Sequence, residues 1–478
     1  MKPRSSAITR ALRWLGLVLA FLALALLAFH FSVARAARLA PPHITVPAAQ
    51  PTRTPDGLRR FEHAYAKQVG RLLQVGLSGS PEAIGYSHAR LLYPEMVENE
   101  GILLARFKDQ VRMSWARSFL LDLAQLRYRN VDKQVSPDRL REIAAGAQGF
   151  QPDPYADVFP TFQRFVYLNA LYDISLSFEG SPLIGCTTFT FDGPATADGS
   201  GTLARAFDFE VDDVFDRRKA VFLVRETGKI PFASVAWPGL VGVVSGMNLE
   251  GVAVVVHGGR AREPRAMGEP VVHALRRVLS EARTTEDAAR LLSERAPMVS
   301  HIIIVTDAHG HSATIERAPG ERDAVRFLAS RAATTNHFES ALKDDPKNLR
   351  VRSNTSTLPR RARADRLLAD LPATPITPLA AAQLLRDRAA ADGSALPLGD
   401  RRAINALIAT HGVIMQTGPR VLWVSESPHL LGHFRAFELT RLLAPDYDPA
   451  ADTSAPEPLP EDELLTSGQY AAWRAAHP

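Results

Sequence analysis

The sequence predicts an α+β fold in which antiparallel sheets are covered by helices, and three observations carry that expectation. Apolar residues recur at helical spacing in the first third of the chain. The pattern switches abruptly to strands at Cys186, and the strand runs beyond it are twice interrupted by a pair of helices. Composition fits a globular protein: 478 residues carry a net charge of +5, with acidic and basic residues interspersed and Arg far commoner than Lys. No block of like charge is present to serve as a nucleic-acid arm.

The elements follow in order. Lys2, Arg4, Arg10 and Arg13 precede an apolar run from Trp14 to Phe29, and Ala34-Arg35-Ala36 follows as a small-x-small cleavage pattern. Residues 1–36 therefore read as an export signal. The run is shorter than the ~20 residues that span a bilayer, which favours a cleaved peptide, while His30 and Phe31 extend it toward an anchor over residues 14–33. Residues 37–55, rich in Pro and Ala, read as a linker. From Asp56 to about Leu176 the pattern predicts helices, with Phe61, Tyr65, Val69 and Leu72 on one face and breaks at Ser78–Pro81, Ser136-Pro137 and Pro152–Pro154.

Beyond Gly185, strands are expected at Thr187–Phe191, Leu203–Phe209, Ala220–Val224, Ala233–Ala236, Gly242–Gly246 and Val252–Val256. Helices follow near Pro270–Ala282 and Thr285–Arg295. Strands return at His301–Thr306, Ala313–Glu316 and Val325–Ala333, then helices near Pro359–Leu371 and Pro378–Arg388, and a last strand pair at Ala406–Met415 and Val421–Val424.

Cys186 is the only cysteine, so an exported chain has no internal disulfide to make. A thiol at the start of a strand, preceded by a glycine, is placed to attack its own upstream carbonyl, because Gly185 has no side chain to hinder the approach. Hydrolysis of the resulting thioester would leave Cys186 as a new amino terminus. Its α-amino group, with a reference pKa of about 8, could then serve as base for its own thiol.

Several segments resemble the amino-terminal-nucleophile hydrolases, specifically the isopenicillin N acyltransferase group, with choloylglycine hydrolases as more distant relatives. Gly185-Cys186-Thr187-Thr188 resembles their cleavage site, Arg205-Ala206-Phe207-Asp208 their Arg-x-x-Asp segment, and Thr335-Asn336-His337 their Thr-Asn-His. The stretch from Gly246 through Asn248 to Gly251 resembles their Gly-x-Asn-x-x-Gly hairpin. Ile84-Gly85-Tyr86-Ser87-His88-Ala89 resembles a Gly-x-x-His-Gly stretch, with Ala89 in place of the glycine.

The resemblance implies an αββα sandwich and attack of Cys186 on an amide or thioester carbonyl through an acyl-enzyme, with no metal or organic cofactor. Asp208 would poise the new α-amino group, Arg205 would favour the thiolate, and Asn336 would donate to the oxyanion. The family's second oxyanion asparagine has no counterpart, since Val256-His257-Gly258 stands there, which leaves His257 or a backbone amide. Of Arg401 and Arg402, ahead of the last strand pair, Arg402 is the expected late arginine. The domain reading is then a small chain of helices over 56–185, a catalytic chain over 186–445 and a tail over 446–478. The expected partners are an N-acyl or acyl small molecule, no nucleic acid, and a membrane through the amino terminus. An ester or lysolipid substrate, or an inactive tethered binding protein, would be the rival readings.

Two other stretches have plainer readings. His309-Gly310-His311 beside Asp307 reads as a hairpin tip rather than a metal cluster, and Ser356 as the N-cap of the helix at Pro359 rather than a nucleophile.

Overall fold

The computed structural model describes residues 5–46, 49–178, 185–209, 212–454 and 456–477. Lys2 and Arg4 of the basic start, and the stretch 179–184 just before Gly185, lie outside them. Helix α1 (Ser5–Ala36) leads to a short hairpin ladder of β1 (Thr52–Arg53), β2 (Arg59–Phe61), β3 (Ala64–Val69) and β4 (Leu72–Gly79). Helices α2 (Pro81–Gln110), α3 (Ser114–Arg127), α4 (Pro137–Gly149), α5 (Thr161–Leu168) and α6 (Leu171–Leu176) follow, and β5 (Gly185–Gly193) begins at the cysteine. After β6 (Gly199–Asp208) and α7 (Val214–Arg217), strands β7 (Ala220–Glu226), β8 (Phe232–Ala236), β9 (Ser245–Asn248) and β10 (Ala253–Gly258) run to α8 (Val271–Glu281) and α9 (Thr285–Ser293). Next come β11 (His301–Thr306), β12 (Ser312–Arg317), β13 (Ala324–Phe327), β14 (Arg331–Thr334), α10 (Pro346–Asn354), α11 (Thr357–Asp370) and α12 (Pro378–Leu385). The chain finishes with β15 (Ala409–Gln416), β16 (Val421–Ser425), β17 (Phe434–Glu438) and the short helices α13 (Leu439–Leu442), α14 (Glu463–Thr466) and α15 (Gln469–Ala476).

Two sheets result, an 11-stranded one (β1-β2-β3-β4-β7-β8-β9-β10-β11-β12-β13) and a 6-stranded one (β14-β5-β6-β15-β16-β17). Strand alternation sorts their residues into three cores. Val254 and Val256 pack with Ile84, Ile143 and Leu275 beneath the helices, whereas Val255 between them packs with Leu203, Val413 and Leu422 of the other sheet. On the far face of that second sheet Phe189, Phe191 and Ala206 meet Ala364, Ala381 and Leu385 of α11 and α12. The order helices, sheet, sheet, helices is the expected αββα sandwich.

Close helix contact places the amino-terminal layer. A Cβ on Gly85 of α2 would collide with the Glu142 carbonyl of α4, so only glycine permits this approach. His88, one turn on, accepts the Gly239 amide at 2.9 Å; burial holds its ring down at a pKa of about 4. In the other motif, Asn248 is a strut: its side chain accepts from Val252 N and donates to Leu279 O and Ala282 O, and Gly251 turns with φ +82°.

Residues 56–185 are not all helical, contrary to expectation. The segment up to Gly79 is the strand ladder β1–β4, and β4 pairs in parallel with β7 from Leu73↔Ala220 to Gly79↔Glu226. Phe61, Tyr65, Val69 and Leu72 looked like a helix face because the tight turns at Glu62-His63 and Gly70-Arg71 shift the strand phase. In fact Phe61 and Tyr65 point into different cores. The expected single strand Val325–Ala333 is two, with β13 on the edge of one sheet and β14 on the edge of the other. Residues after 445 are more than a tail, since Leu464 packs with Leu407 and Leu431, and the Leu459 amide donates to Phe434 O.

Candidate active site

Antiparallel pairing of β5 with β6 sets Gly185 opposite Asp208 and Cys186 opposite Phe207. That register brings together the residues that the motifs singled out. Cys186 is fully buried, and its thiol lies 3.2 Å from Arg205 Nη2 and 4.0 Å from Val256 O. The Arg205 guanidinium is itself buried and fixed, donating to Val256 O (2.6 Å), Val244 O (3.2 Å) and Ser245 Oγ (2.5 Å) and stacking over the Phe207 ring at 4.0 Å. Burial pushes the thiol up from its ordinary pKa and outweighs the opposing pull of Arg205. Cys186 is thus a neutral thiol beside a buried cation.

Asp208 is the second buried group. A Cβ on Gly185 would sit 3.3 Å from its Oδ2, and its Oδ1 has no hydrogen-bond partner among the described residues. Burial pushes the carboxyl up to about 6, against the pull of Arg360, Arg401 and Arg205. A buried carboxylate oxygen without a donor is costly in a finished core. Asp208 lies opposite Gly185 across the strand pair.

Asn336 does reach Cys186, at the backbone of the cysteine: Oδ1 accepts the Cys186 amide at 2.8 Å and Arg360 Nη2 at 2.9 Å. One of the two N–H groups on its Nδ2 donates to Gly258 O at 2.9 Å. His257 does not fit the role considered for it. Nδ1 faces the Thr335 carbonyl and must carry the proton, burial keeps the ring neutral, and Nε2 therefore accepts from the Thr188 hydroxyl at 2.7 Å. No ring N–H remains to offer.

Arg402 is a correction. It lies on the surface, paired with Asp400, its neighbour two residues back, and touches none of these groups. Arg401 instead acts electrostatically on Asp208 and on Arg360. The arginine that sequence reasoning missed is Arg360 of α11, which donates to Cys186 O (2.5 Å), Thr187 Oγ1 (2.9 Å) and Asn336 Oδ1 (2.9 Å). The available signal was its place on the inward stripe Thr357, Arg360, Ala364 of an amphipathic helix, where a charge is out of pattern. Arg360→Lys keeps the charge but not the three bonds. It is expected to cost on the order of 3 kcal/mol in urea unfolding and to slow any cut at Gly185, while Arg402→Ala alters neither.

Ser356 does occupy the N-cap position of α11, yet makes no side-chain cap bond; its hydroxyl accepts from Arg360 Nε at 3.2 Å. The His309–His311 segment is the expected turn, Gly310 having φ +79° and Asp307 accepting the amides of His309, His311 and Thr285. Beside the cysteine opens an apolar cavity lined by Tyr172, Phe207, Phe209, Phe215, Trp237 and Val244. Phe207 is the strand partner of Cys186, and the Val244 carbonyl holds Arg205.

The two facing sheets between helical layers are the α+β sandwich that the resemblance to amino-terminal-nucleophile hydrolases led us to expect. Residues 195–394 match the family described as acyl-coenzyme A:6-aminopenicillanic acid acyl-transferase, as the motifs led us to expect, and that family and class carry out amide hydrolysis or acyl transfer. The match includes Arg205, Asp208, Asn336 and Arg360 and begins after Cys186. Over 270 residues the chain is 25% identical to an uncharacterized protein of Archaeoglobus fulgidus, covering 53% of this chain but 44% of that one, so it spans less than half of that relative.

Solved structures with some likeness include a Caenorhabditis elegans N-acylethanolamine-hydrolyzing acid amidase ortholog (16% identity, TM-score 0.37, covering 49% of this chain and 93% of that one). Another is penicillin V acylase from Agrobacterium tumefaciens (17%, 0.38, 54% and 87%). A third is a mutant form of the conjugated bile acid hydrolase from Clostridium perfringens (13%, 0.36, 53% and 92%).

Proposed function

We propose that the chain is a self-cleaving cysteine hydrolase or acyltransferase that cuts itself between Gly185 and Cys186 and then acts on the amide of an N-acyl small molecule. The observation that carries this reading is the buried Asp208 carboxylate beside Gly185, its Oδ1 without a hydrogen-bond partner among the described residues, with the Cys186 thiol 3.2 Å from Arg205 on the paired strand. In the cut, the thiol sulfur adds to the Gly185 carbonyl carbon, the C–N bond to Cys186 breaks, and the proton lost by sulfur leaves on the new amine. Water then releases Gly185 as a carboxylate and regenerates the thiol. Asp208 would hold the resulting ammonium, and Arg360 and Asn336 would keep Cys186 in place.

In turnover the same sulfur would take the acyl group from nitrogen, with the α-amino group moving the proton to the leaving amine. The apolar cavity against Phe207 suits the acyl part. The two fragments would remain joined, because the β4–β7 ladder stitches residues before the cut to residues after it. Water is the favoured acceptor for an exported enzyme, which meets no acyl-CoA outside the cytoplasm. Amino-terminal sequencing of purified protein is expected to find Cys186 as a terminus, and a panel of N-acyl amides, penicillins, bile-salt conjugates and lysolipids to yield amide cleavage. Active protein without a Cys186 terminus would sink the reading, and activity on lysolipid esters alone would move it to an esterase.

A further inference from the structure

Helix α3 is inside out. Its buried residues are the polar Asp122 and Gln125, while Trp115 (60% exposed), Leu120 (44%) and Leu123 (40%) face outward, with Met113 (57%) just ahead of them. A helix covering a water-soluble body shows the reverse arrangement. Beside this apolar stripe runs α1, whose Thr9–Ala36 segment is long and apolar enough to cross a membrane and is almost entirely unburied, with mean hydropathy 2.5. At about 1.5 Å per residue it exceeds the ~30 Å hydrocarbon core.

The two helices form one unit. Phe29 packs on Phe119 at 5.9 Å between ring centroids, and His30 Nδ1 pairs with Asp122 at 3.0 Å. The junction behind α1 is also built into the body rather than hanging as a linker. Val33, Ala37 and Leu39 are buried, Gln163 of α5 accepts from Leu39 N and donates to Ala37 O, and the same amide donates to Gln125 of α3. Loss of α1 at the Ala34-Arg35-Ala36 pattern would strip Asp122 of its partner and Phe119 of its cover.

We infer that α1 is retained as a membrane anchor and that α3 lies in the bilayer interface beside it, its outward Trp115, Leu120 and Leu123 set among lipid acyl chains. The occupant is lipid because the exposed stripe continues the surface of a helix that itself has membrane length and composition. Trp is suited to the boundary between head groups and chains, and an apolar face of this kind gains by burial there. The inference does not depend on the chemistry at Cys186.

The test uses the full chain in a Cys186→Ala background, which removes the only native thiol. Leu120→Cys and, separately, Leu123→Cys carry an environment-sensitive fluorophore in phosphatidylcholine vesicles that contain nitroxide-bearing lipid. Leu349→Cys, an exposed position of α10, is the reference. The fluorophores on α3 are expected to shift to the blue and lose most of their emission to the nitroxide, and the reference to do neither. Emission at both α3 positions matching the reference would overturn the docking of α3. The mass of wild-type protein extracted from membranes is expected to include residues before Ala37; an amino terminus at Ala37 would overturn retention of the anchor.

Discussion

Cys186→Ala is expected to leave the chain in one piece, as a single band on a denaturing gel, with no Cys186 terminus and no turnover. The methyl group cannot attack the Gly185 carbonyl, and nothing else on β5 is placed to do so: Thr187 Oγ1 is held by Arg360 and Thr188 Oγ1 by His257. The neighbouring structure should survive, because the thiol's contacts are one guanidinium and one carbonyl that have other partners. Cys186→Ser is expected to be cut slowly, a hydroxyl being the poorer nucleophile but still able to add to a carbonyl. Cutting of the alanine variant at the same bond would mean that another group performs the attack.

Asp208→Asn is expected to reduce both the cut and turnover by on the order of a hundredfold or more, with the fold retained. The change keeps the side chain's shape and removes the charge that would receive the new amine. Its pH signature separates a chemical role from a structural one. With its pKa raised to about 6 by burial, the carboxyl is ionised above that pH and protonated below it, so cutting should slow as pH falls through 6. The slow Cys186→Ser chain allows this to be followed on gels at pH values on either side. Adding Asp208→Asn to it should flatten the acid limb. In the mature protein the ammonium of Cys186 would sit against Asp208 and favour its charged form, so the acid limb of turnover should lie below that of cutting. An acid limb that persists in the asparagine variant would reassign it to another group.

Both expectations rest on residues that the sequence already marked. Cys186, Arg205, Asp208 and Asn336 were legible because each belongs to a short motif whose spacing is fixed by local backbone. Gly185-Cys186 opens a strand, Arg205 and Asp208 lie on the next, and the strand pairing makes them neighbours. The sandwich itself was legible for a similar reason: β10 and β11 are short continuous apolar runs, as strands covered on both faces require, and the paired helices between them carry the 3.6 period. The family match over 195–394 covers the stretch where those patterns are densest.

What the tertiary structure alone decided concerns groups that act across long sequence separations. Arg360 reaches Cys186 only because α11 packs on the outer face of the second sheet, and its place on the stripe with Thr357 and Ala364 marks it as facing inward without saying what it meets there. Arg401 and Arg402 are both exposed, and the choice between them depended on which of two adjacent side chains lies near enough to act on Asp208, a placement that a loop without periodicity does not encode. His257 kept a plausible role in sequence until its hydrogen bonds to Thr188 and Thr335 showed that both ring nitrogens are already spent. The ladder β1–β4 read as a helix because its two tight turns disguised period two, and only its partner β7, far along the chain, fixes it as sheet. The inverted polarity of α3 is likewise invisible without its neighbours: Leu120 and Leu123, three residues apart, read as part of a core face until they are found exposed, with Asp122 and Gln125 on the inside. Periodicity in the sequence determines which residues share a face, while packing decides which face looks in.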